Sequence, residues 1–216
     1  MRQRKDFKRL EGTRSARLIV IAAEGRSTEN IYFEAMKASR CASDVHVEVL
    51  YRDSDNSSPD SVMTQIQEFI EEYNIEDDDQ LWIVVDKDKW KSKMLKLIAQ
   101  NCAKNNNLNF CVSNPCFELW LLLHLEDVKS YSPEQMEMLA ENKKTSKHGD
   151  TWLKKRMKEL TGHYHESDYD AMALIENVTI AIERAKTLDK SPADRWPQTV
   201  GTRVYLLAQS IMGTKY

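Results

Sequence analysis

The sequence predicts an α/β fold, in which helices flank a mainly parallel sheet and a helical part completes the chain. Strand-like apolar runs alternate with segments of helical periodicity. These runs are residues 18–23, 45–51, 81–85 and 108–112. Runs that are apolar throughout, as at 18–23 and 81–85, are typical of strands buried on both faces of a parallel sheet. Short helical connections between them favour right-handed crossovers.

Turn and cap residues indicate where the helices begin. Gly25 suits a sharp turn after the first strand, and Ser27 or Thr28 can cap the helix behind it. Pro59 and Pro115 each stand at a first helical position, the second after a Ser-Asn pair. The predicted helices are residues 28–36, 59–73, 91–104, 115–125, 133–141, 151–160, 168–186 and 203–212.

Charge is distributed unevenly, although the net charge is only −3. Residues 1–17 contain seven Lys and Arg against two acids, and residues 143–158 contain seven against one. Such clusters create local positive fields that suit nucleic acid, but solvated helix faces explain them equally well. We therefore divide the chain into a basic N-terminal arm (1–17), of which residues 1–16 are expected to be mobile, an α/β core (18–126) and a helical part packed on that core (127–216).

Composition indicates a soluble cytoplasmic protein. The 216 residues are 41% hydrophobic and 30% charged, and the four cysteines form no CxxC pair. We find no signal peptide, and the most apolar stretch is too short to cross a membrane. The chain also lacks a GxxxxGK[ST] loop, so P-loop nucleotide hydrolysis is excluded.

Acidic residues follow two of the predicted strands directly. Glu24 ends the first, and Asp86 and Asp88 end the third, with their side chains on the same side of an extended segment. Open parallel sheets bind ligands just beyond the carboxyl ends of their strands. Adjacent carboxylates repel unless a cation lies between them, and Mg²⁺ prefers oxygen ligands. The alternative is that Asp86 and Asp88 cap the following helix or sit in its first turn.

The motifs around these acids resemble those of the RloB-like family, which comprises Toprim-related bacterial proteins linked to restriction loci and anti-phage defence. The resemblance covers most of the chain from Leu18 onward. The matching motifs are Glu24-Gly25 with Thr28-Glu29 and Tyr32-Phe33, then Asp86-x-Asp88, then Ser113-Asn114-Pro115-x-Phe117-Glu118-Leu119-Trp120-Leu121-Leu122-Leu123-His124. The segment from Pro197 to Thr202 matches the family's closing element more weakly, because Trp196 replaces an Asn.

The resemblance implies a Toprim-like core and a nuclease that depends on Mg²⁺ or Mn²⁺. Asp86 and Asp88 would bind the metal, and Glu24 would be a further ligand or the general acid/base. Glu118, a further catalytic candidate at the start of a buried helix, would complete the metal site or simply favour the positive end of that helix. The resemblance also implies a role in anti-phage defence, a partner ATPase from the same locus, and RNA such as tRNA, or DNA, as substrate.

Basic residues near these motifs are candidates for phosphate contacts: Arg26, Lys87, Lys143, Lys144, Lys147 and His148. We find no aromatic platform interleaved with basic residues, so nothing selects RNA over DNA. Two other functions stay open. One is a non-catalytic nucleic-acid-binding or regulatory subunit, and the other is nucleotidyl transfer as in primases.

Several other features favour structural roles. His124 is expected to be a core histidine. Residues 53–64 resemble a calcium loop but lack its glycine and its final glutamate. His163 and His165 have metal-like spacing without a supporting helix, and residues 77–79 read as a solvated acidic turn.

Overall fold

The computed structural model describes residues 4–9, 16–51, 59–88, 90–144, 146–147 and 149–214. Residues 53–58 of the calcium-like segment and the candidate phosphate ligand His148 lie outside these ranges, whereas residues 59–64 of that segment are helical. None of the helices in the described ranges is long and apolar enough to cross a membrane.

A five-stranded sheet forms the centre of the molecule. Its strands are β1 (Arg17–Ala23), β2 (Val45–Leu50), β3 (Gln80–Asp86), β4 (Leu108–Asn114) and β5 (Gly201–Thr202). Their order is β2-β1-β3-β4-β5, and only β5 is antiparallel to its neighbour among the pairs described. The predicted α/β class is confirmed, and the arrangement is consistent with a Toprim-like fold.

Helices cover both faces of the sheet. They are α1 (Thr28–Arg40), α2 (Pro59–Glu72), α3 (Ser92–Cys102), α4 (Glu118–Leu125), α5 (Pro133–Glu141), α6 (Trp152–Thr161), α7 (Ala171–Ile175), α8 (Val178–Leu188) and α9 (Val204–Ile211), with a short 3-10 helix at Val128–Ser130. Successive residues of β1 point to opposite faces of the sheet, where they pack into two different hydrophobic cores. Leu18 and Val20 pack with α2 and α3, whereas Ile19 and Ile21 pack with α1, α4 and the C-terminal helices. Burial on both faces explains why β1 and β3 are apolar throughout.

The structure moves two predicted helix boundaries. The helix expected from residue 115 begins at Glu118, because Ser113 and Asn114 still belong to β4 and pair with β5. The helix expected over 168–186 is two helices, α7 and α8, separated at Glu176 and Asn177. Asn177 occupies the N-cap of α8, a position that asparagine favours. Strand β5 was not predicted, since two residues carry no periodicity.

The described part of the basic arm is packed, so the expectation of a mobile arm is wrong for residues 4–9. Lys5 forms a parallel bridge with Tyr73, and the Phe7 ring lies 5.5 Å from the Phe69 ring. Arg9 donates to the Asp79 carboxylate at 2.8 Å. The division of the chain at residues 17 and 126 stays a prediction.

Asp79 corrects the expectation of a solvated turn at residues 77–79. Its side chain is 1% exposed, and it accepts hydrogen bonds from the backbone N–H groups of Leu18 (2.9 Å) and Glu76 (2.8 Å). Together with its ion pair to Arg9, these contacts tie the start of β1 to the turn before β3. Asp77 and Asp78 are exposed as expected.

Candidate active site

The acidic ends of β1 and β3 meet at the point where the chain reverses direction across the sheet. From β1 the chain goes outward to β2, and then returns to pair β3 with the other side of β1. Crevices at such switch points, outside the carboxyl ends of the strands, are where open α/β sheets bind ligands. Glu24 follows β1 directly, and Asp86 is the last residue of β3. Neighbouring strands therefore bring the two acids together.

Glu24 is held in place by groups from the β3 side. The residue is 1% exposed, and its own N–H donates to the Val84 carbonyl at 2.9 Å. Its Oε2 accepts from the Asp86 N–H at 3.1 Å and from the Trp90 indole N–H at 2.8 Å. Two donors on one oxygen orient the carboxylate, as a metal ligand or a general base requires.

Asp86 ends β3, and the chain from Asp86 to Asp88 runs alongside the end of β4. Lys87, between them, donates its N–H to the Ser113 carbonyl at 2.9 Å, and Asp88 donates its N–H to the Pro115 carbonyl at 3.1 Å. Asp86 is buried and Asp88 is exposed. Helix α3 begins only at Ser92, so neither acid is its N-cap or lies in its first turn. The helix-capping alternative is therefore wrong.

Gly25 makes room for a second buried acid, Glu29. The Gly25 N–H donates to Glu29 Oε1 at 3.0 Å, and a Cβ at position 25 would lie 1.8 Å from Glu29 Oε2. A side chain at position 25 would therefore displace the Glu29 carboxylate from this position. Glu29 belongs to the Thr-Glu pair of the family resemblance, but its place at the site was not predicted.

Glu118 and Lys154 face each other across the site. Glu118 opens α4 with a side chain that is 8% exposed, and its Oε1 lies 4.0 Å from the Lys154 Nζ. Lys154, on α6, also forms an ion pair with Glu166. Burial lowers the pKa of Lys154, but the hydrogen bond to Glu166 and the charge of Glu118 raise it above its ordinary value. Lys154 therefore stays protonated, and it is a site residue that was not predicted.

These side chains line one cavity of about 430 Å³. Its acids are Glu24, Glu29, Asp86, Asp88, Glu118 and Glu166, and its cations are Arg26 and Lys154. Among the described residues, six acids against two cations give this lining a formal charge of −4. A concave surface of this sign concentrates cations and repels phosphate.

The donor set suits a hard divalent cation, although the described residues do not form a closed cage. No three His, Cys, Asp or Glu side chains among them are placed so that they could hold a metal ion. Mg²⁺ usually takes one or two carboxylates and completes its shell with waters and substrate phosphate. The arrangement therefore fits a water-rich site of that kind and not a dedicated all-protein one.

Among the described phosphate candidates, only Arg26 lines the cavity. Lys87 donates to the Gln198 carbonyl at 3.0 Å, and burial lowers its pKa. Lys143 forms an ion pair with Glu141 at 2.6 Å, and Lys144 and Lys147 are exposed outside the cavity. The structure therefore does not gather the 143–147 lysines around the acids.

The residues expected to be structural occupy such positions. His124 is buried, with Nε2 3.0 Å from the Tyr32 hydroxyl and Nδ1 2.9 Å from the Trp120 carbonyl. Burial lowers its pKa to about 4, so it is neutral. His163 pairs with Asp168 at 3.0 Å.

The segment after Trp196 closes the sheet beside the acids. Asn114 donates its side-chain amide to the carbonyls of Pro197 (3.2 Å) and Thr199 (2.7 Å). The Ser113 and Thr202 hydroxyls are 2.7 Å apart. These contacts join the Ser-Asn-Pro motif to the closing segment, two parts of the family resemblance that are far apart in sequence.

Comparison with known proteins identifies the family. A family model described as RloB-like protein matches residues 19–211. Neither the curated proteins nor the solved structures contain a significant match. The matched range includes both acid-bearing strand ends, Glu118, Lys154 and the closing segment. The chain therefore belongs to the RloB-like protein family.

Proposed function

We propose that this protein is a divalent-metal-dependent nuclease that cleaves phosphodiester bonds of RNA or DNA. The observation that carries the proposal is the cavity of formal charge −4 at the switch point of the sheet. A phosphodiester is an anion, so such a cavity repels it unless cations compensate the carboxylates. A nuclease site that binds Mg²⁺ or Mn²⁺ accounts for this excess of acids.

The chain's own residues have distinct roles in this proposal. Asp86 and Asp88 would hold the Mg²⁺ or Mn²⁺, which supplies Lewis-acid polarisation of the phosphate and a more acidic bound water. Glu24, oriented by the Asp86 and Trp90 N–H groups, would accept a proton as the general base. Lys154 would stabilise negative charge that develops on the phosphate oxygens.

Glu118 and Arg26 would support these groups. Glu118 lies 4.0 Å from Lys154 and so positions its ammonium at the cavity wall. Arg26 lines the cavity and would bind a substrate phosphate, because a guanidinium matches two phosphate oxygens. The resemblance supports a further step: an effector in bacterial anti-phage defence, working with a partner ATPase, for which tRNA is one candidate substrate.

The test is incubation of purified protein with total RNA and with plasmid DNA, in Mg²⁺ or Mn²⁺ and then in EDTA. The variant is Asp86→Asn/Asp88→Asn, and the matched control is Asp77→Asn/Asp78→Asn, which removes two exposed acids outside the cavity. We expect metal-dependent cleavage that only the first variant loses.

A calorimetric Mn²⁺ titration of the same proteins separates the alternatives. Mn²⁺ binding without cleavage, also in the presence of the partner ATPase, would favour the regulatory-subunit function. Absence of both Mn²⁺ binding and cleavage would contradict the proposal. Consumption of nucleoside triphosphates would instead indicate nucleotidyl transfer.

A further inference from the structure

A second concave surface lies beside α3, outside the acidic cavity. This α3 groove has a volume of about 680 Å³ and is lined by Trp90, Lys91, Lys93, Met94, Lys96, Leu97 and Gln100. Its described lining residues come from one short stretch of chain, and none of them is an acid. The sign of its charge is thus opposite to that of the cavity.

The cations of the groove are available to an external anion. Lys91, Lys93 and Lys96 are exposed, and no ion pair involves them within the described residues. Helix α3 has no Asp or Glu, and Lys91 sits at its N-cap, where the helix dipole adds positive charge. A polyanion would therefore bind along this face without displacing an internal partner.

The floor of the groove is apolar and aromatic. Leu97 is 53% exposed, and Trp90 and Met94 are partly exposed beside it. Trp90 is the aromatic residue of this surface, and in sequence it lies between Asp88 and three lysines. Aromatic and apolar surface between cations suits unpaired bases, which stack on it while phosphates meet the lysines.

A hydrogen bond connects the groove to the acidic cavity. The Trp90 indole N–H donates to Glu24 Oε2 at 2.8 Å, so a residue that lines the groove contacts the proposed catalytic carboxylate. A cavity of formal charge −4 adds little affinity for nucleic acid by itself. Cations next to the cavity are needed to retain the strand.

We propose that the α3 groove binds a single-stranded flank of the nucleic-acid substrate, which rests on the proposed nuclease function. The sugar–phosphate backbone contacts Lys91, Lys93 and Lys96, and a base stacks against Trp90 and Leu97. The chemistry is shared by single-stranded RNA and DNA. It excludes a fully paired duplex, whose bases are not free to reach the floor of the groove.

The test measures binding without cleavage. Fluorescence anisotropy in EDTA would follow labelled single-stranded RNA, single-stranded DNA and duplex oligonucleotides as salt is varied. The variant is Lys91→Ala/Lys93→Ala/Lys96→Ala. The matched control is Lys129→Ala/Lys186→Ala/Lys190→Ala, with the same charge change next to elements that pack on the other face of the sheet.

Loss of three phosphate contacts should change how strongly the affinity for nucleic acid depends on salt concentration. For single strands the log–log slope of affinity against salt should become about 2 less steep, which is roughly a 100-fold loss at ~0.1 M salt. The control triple variant should change the slope far less. Leu97→Ala should weaken single-strand binding without changing the slope, whereas Met138→Ala, equally exposed on α5, should leave binding unchanged.

Three results would overturn the inference. The first is that the two triple variants lower single-strand affinity equally. The second is that duplex binds as tightly as a single strand. The third is that the groove binds an acidic partner protein while the nucleic-acid affinity of the α3 variant stays intact. Because EDTA prevents metal-dependent chemistry, this test is independent of cleavage. If wild type cleaves nucleic acid in Mn²⁺ while the α3 triple variant binds single strands as tightly as wild type, the groove proposal alone is refuted. If wild type binds single strands in EDTA but does not cleave them in Mn²⁺, the nuclease proposal alone is refuted.

Discussion

Replacing Glu24 by Gln or by Ala should separate its structural role from its chemical one. Its Oε2 accepts two hydrogen bonds, from the Asp86 N–H at 3.1 Å and the Trp90 indole N–H at 2.8 Å. A Gln side chain keeps one oxygen that can accept both, but it loses the negative charge. An Ala side chain loses the acceptor altogether and leaves the Asp86 N–H without this partner.

The magnitudes follow from these contacts. Hydrogen bonds to a charged acceptor contribute about 1.5–3 kcal/mol each, so the loss of both in Glu24→Ala should lower the free energy of unfolding by about 3–6 kcal/mol. Glu24→Gln weakens the same bonds but removes one of six acids from the cavity. Since less repulsion offsets weaker bonds, its free energy of unfolding should stay within about 1 kcal/mol of wild type.

Urea unfolding followed by tryptophan fluorescence would measure both stabilities, and Mn²⁺ titration and cleavage would measure function. We expect Glu24→Gln to be folded but at least tenfold weaker in both functional assays, where tenfold corresponds to about 1.4 kcal/mol. The control variants are Glu137→Gln and Glu137→Ala, because Glu137 is exposed. We expect them to change neither the stability nor the function of the protein. Wild-type cleavage by Glu24→Gln, or equal stability of the Gln and Ala variants, would refute the reasoning.

Three further predictions concern other titratable side chains and their partners. Lys154→Met should strengthen Mn²⁺ binding while it slows cleavage by roughly tenfold or more, because the cavity becomes more negative and Glu118 loses its cation; weaker Mn²⁺ binding in a titration would contradict this. Asp79→Ala should lower the free energy of unfolding by about 3–5 kcal/mol in urea, since it breaks an ion pair and two backbone contacts, whereas Asp78→Ala should change it by less than about 0.5 kcal/mol. His124 has a pKa lowered from 6.5 to about 4 in the folded state, so protonation favours unfolding and stability falls as pH drops from about 6.5 towards 4. Relative to His124→Gln, wild type should lose roughly 3 kcal/mol over that window, and a parallel pH profile of the two proteins would contradict the assignment.

Much of the fold follows from local sequence. Continuous apolar runs indicate strands buried on both faces, and turn residues between them indicate helical crossovers, which is why the α/β class and β1–β4 could be predicted. The acids at the ends of β1 and β3 could be identified for the same reason: an apolar run that stops at a carboxylate locates it at the edge of the sheet. Their partnership still required the order of the strands, which sequence periodicity does not contain.

The rest of the site was decided by tertiary contacts between distant segments. Lys154 lines the acidic cavity because α6 packs against α4. Glu166 lines the same cavity and forms an ion pair with Lys154. Asp79 looks like one more exposed acid in sequence, but it is buried because the N-terminal segment brings Arg9 to it. Trp90 and its neighbouring lysines share one short stretch, yet their relation to Glu24 appears only when β1 and β3 pair. Sequence alone thus determined which strands end in acids, because burial of a strand is a local pattern, while the tertiary structure decided which cations, aromatic groups and acids meet them, because those contacts depend on packing across the whole chain.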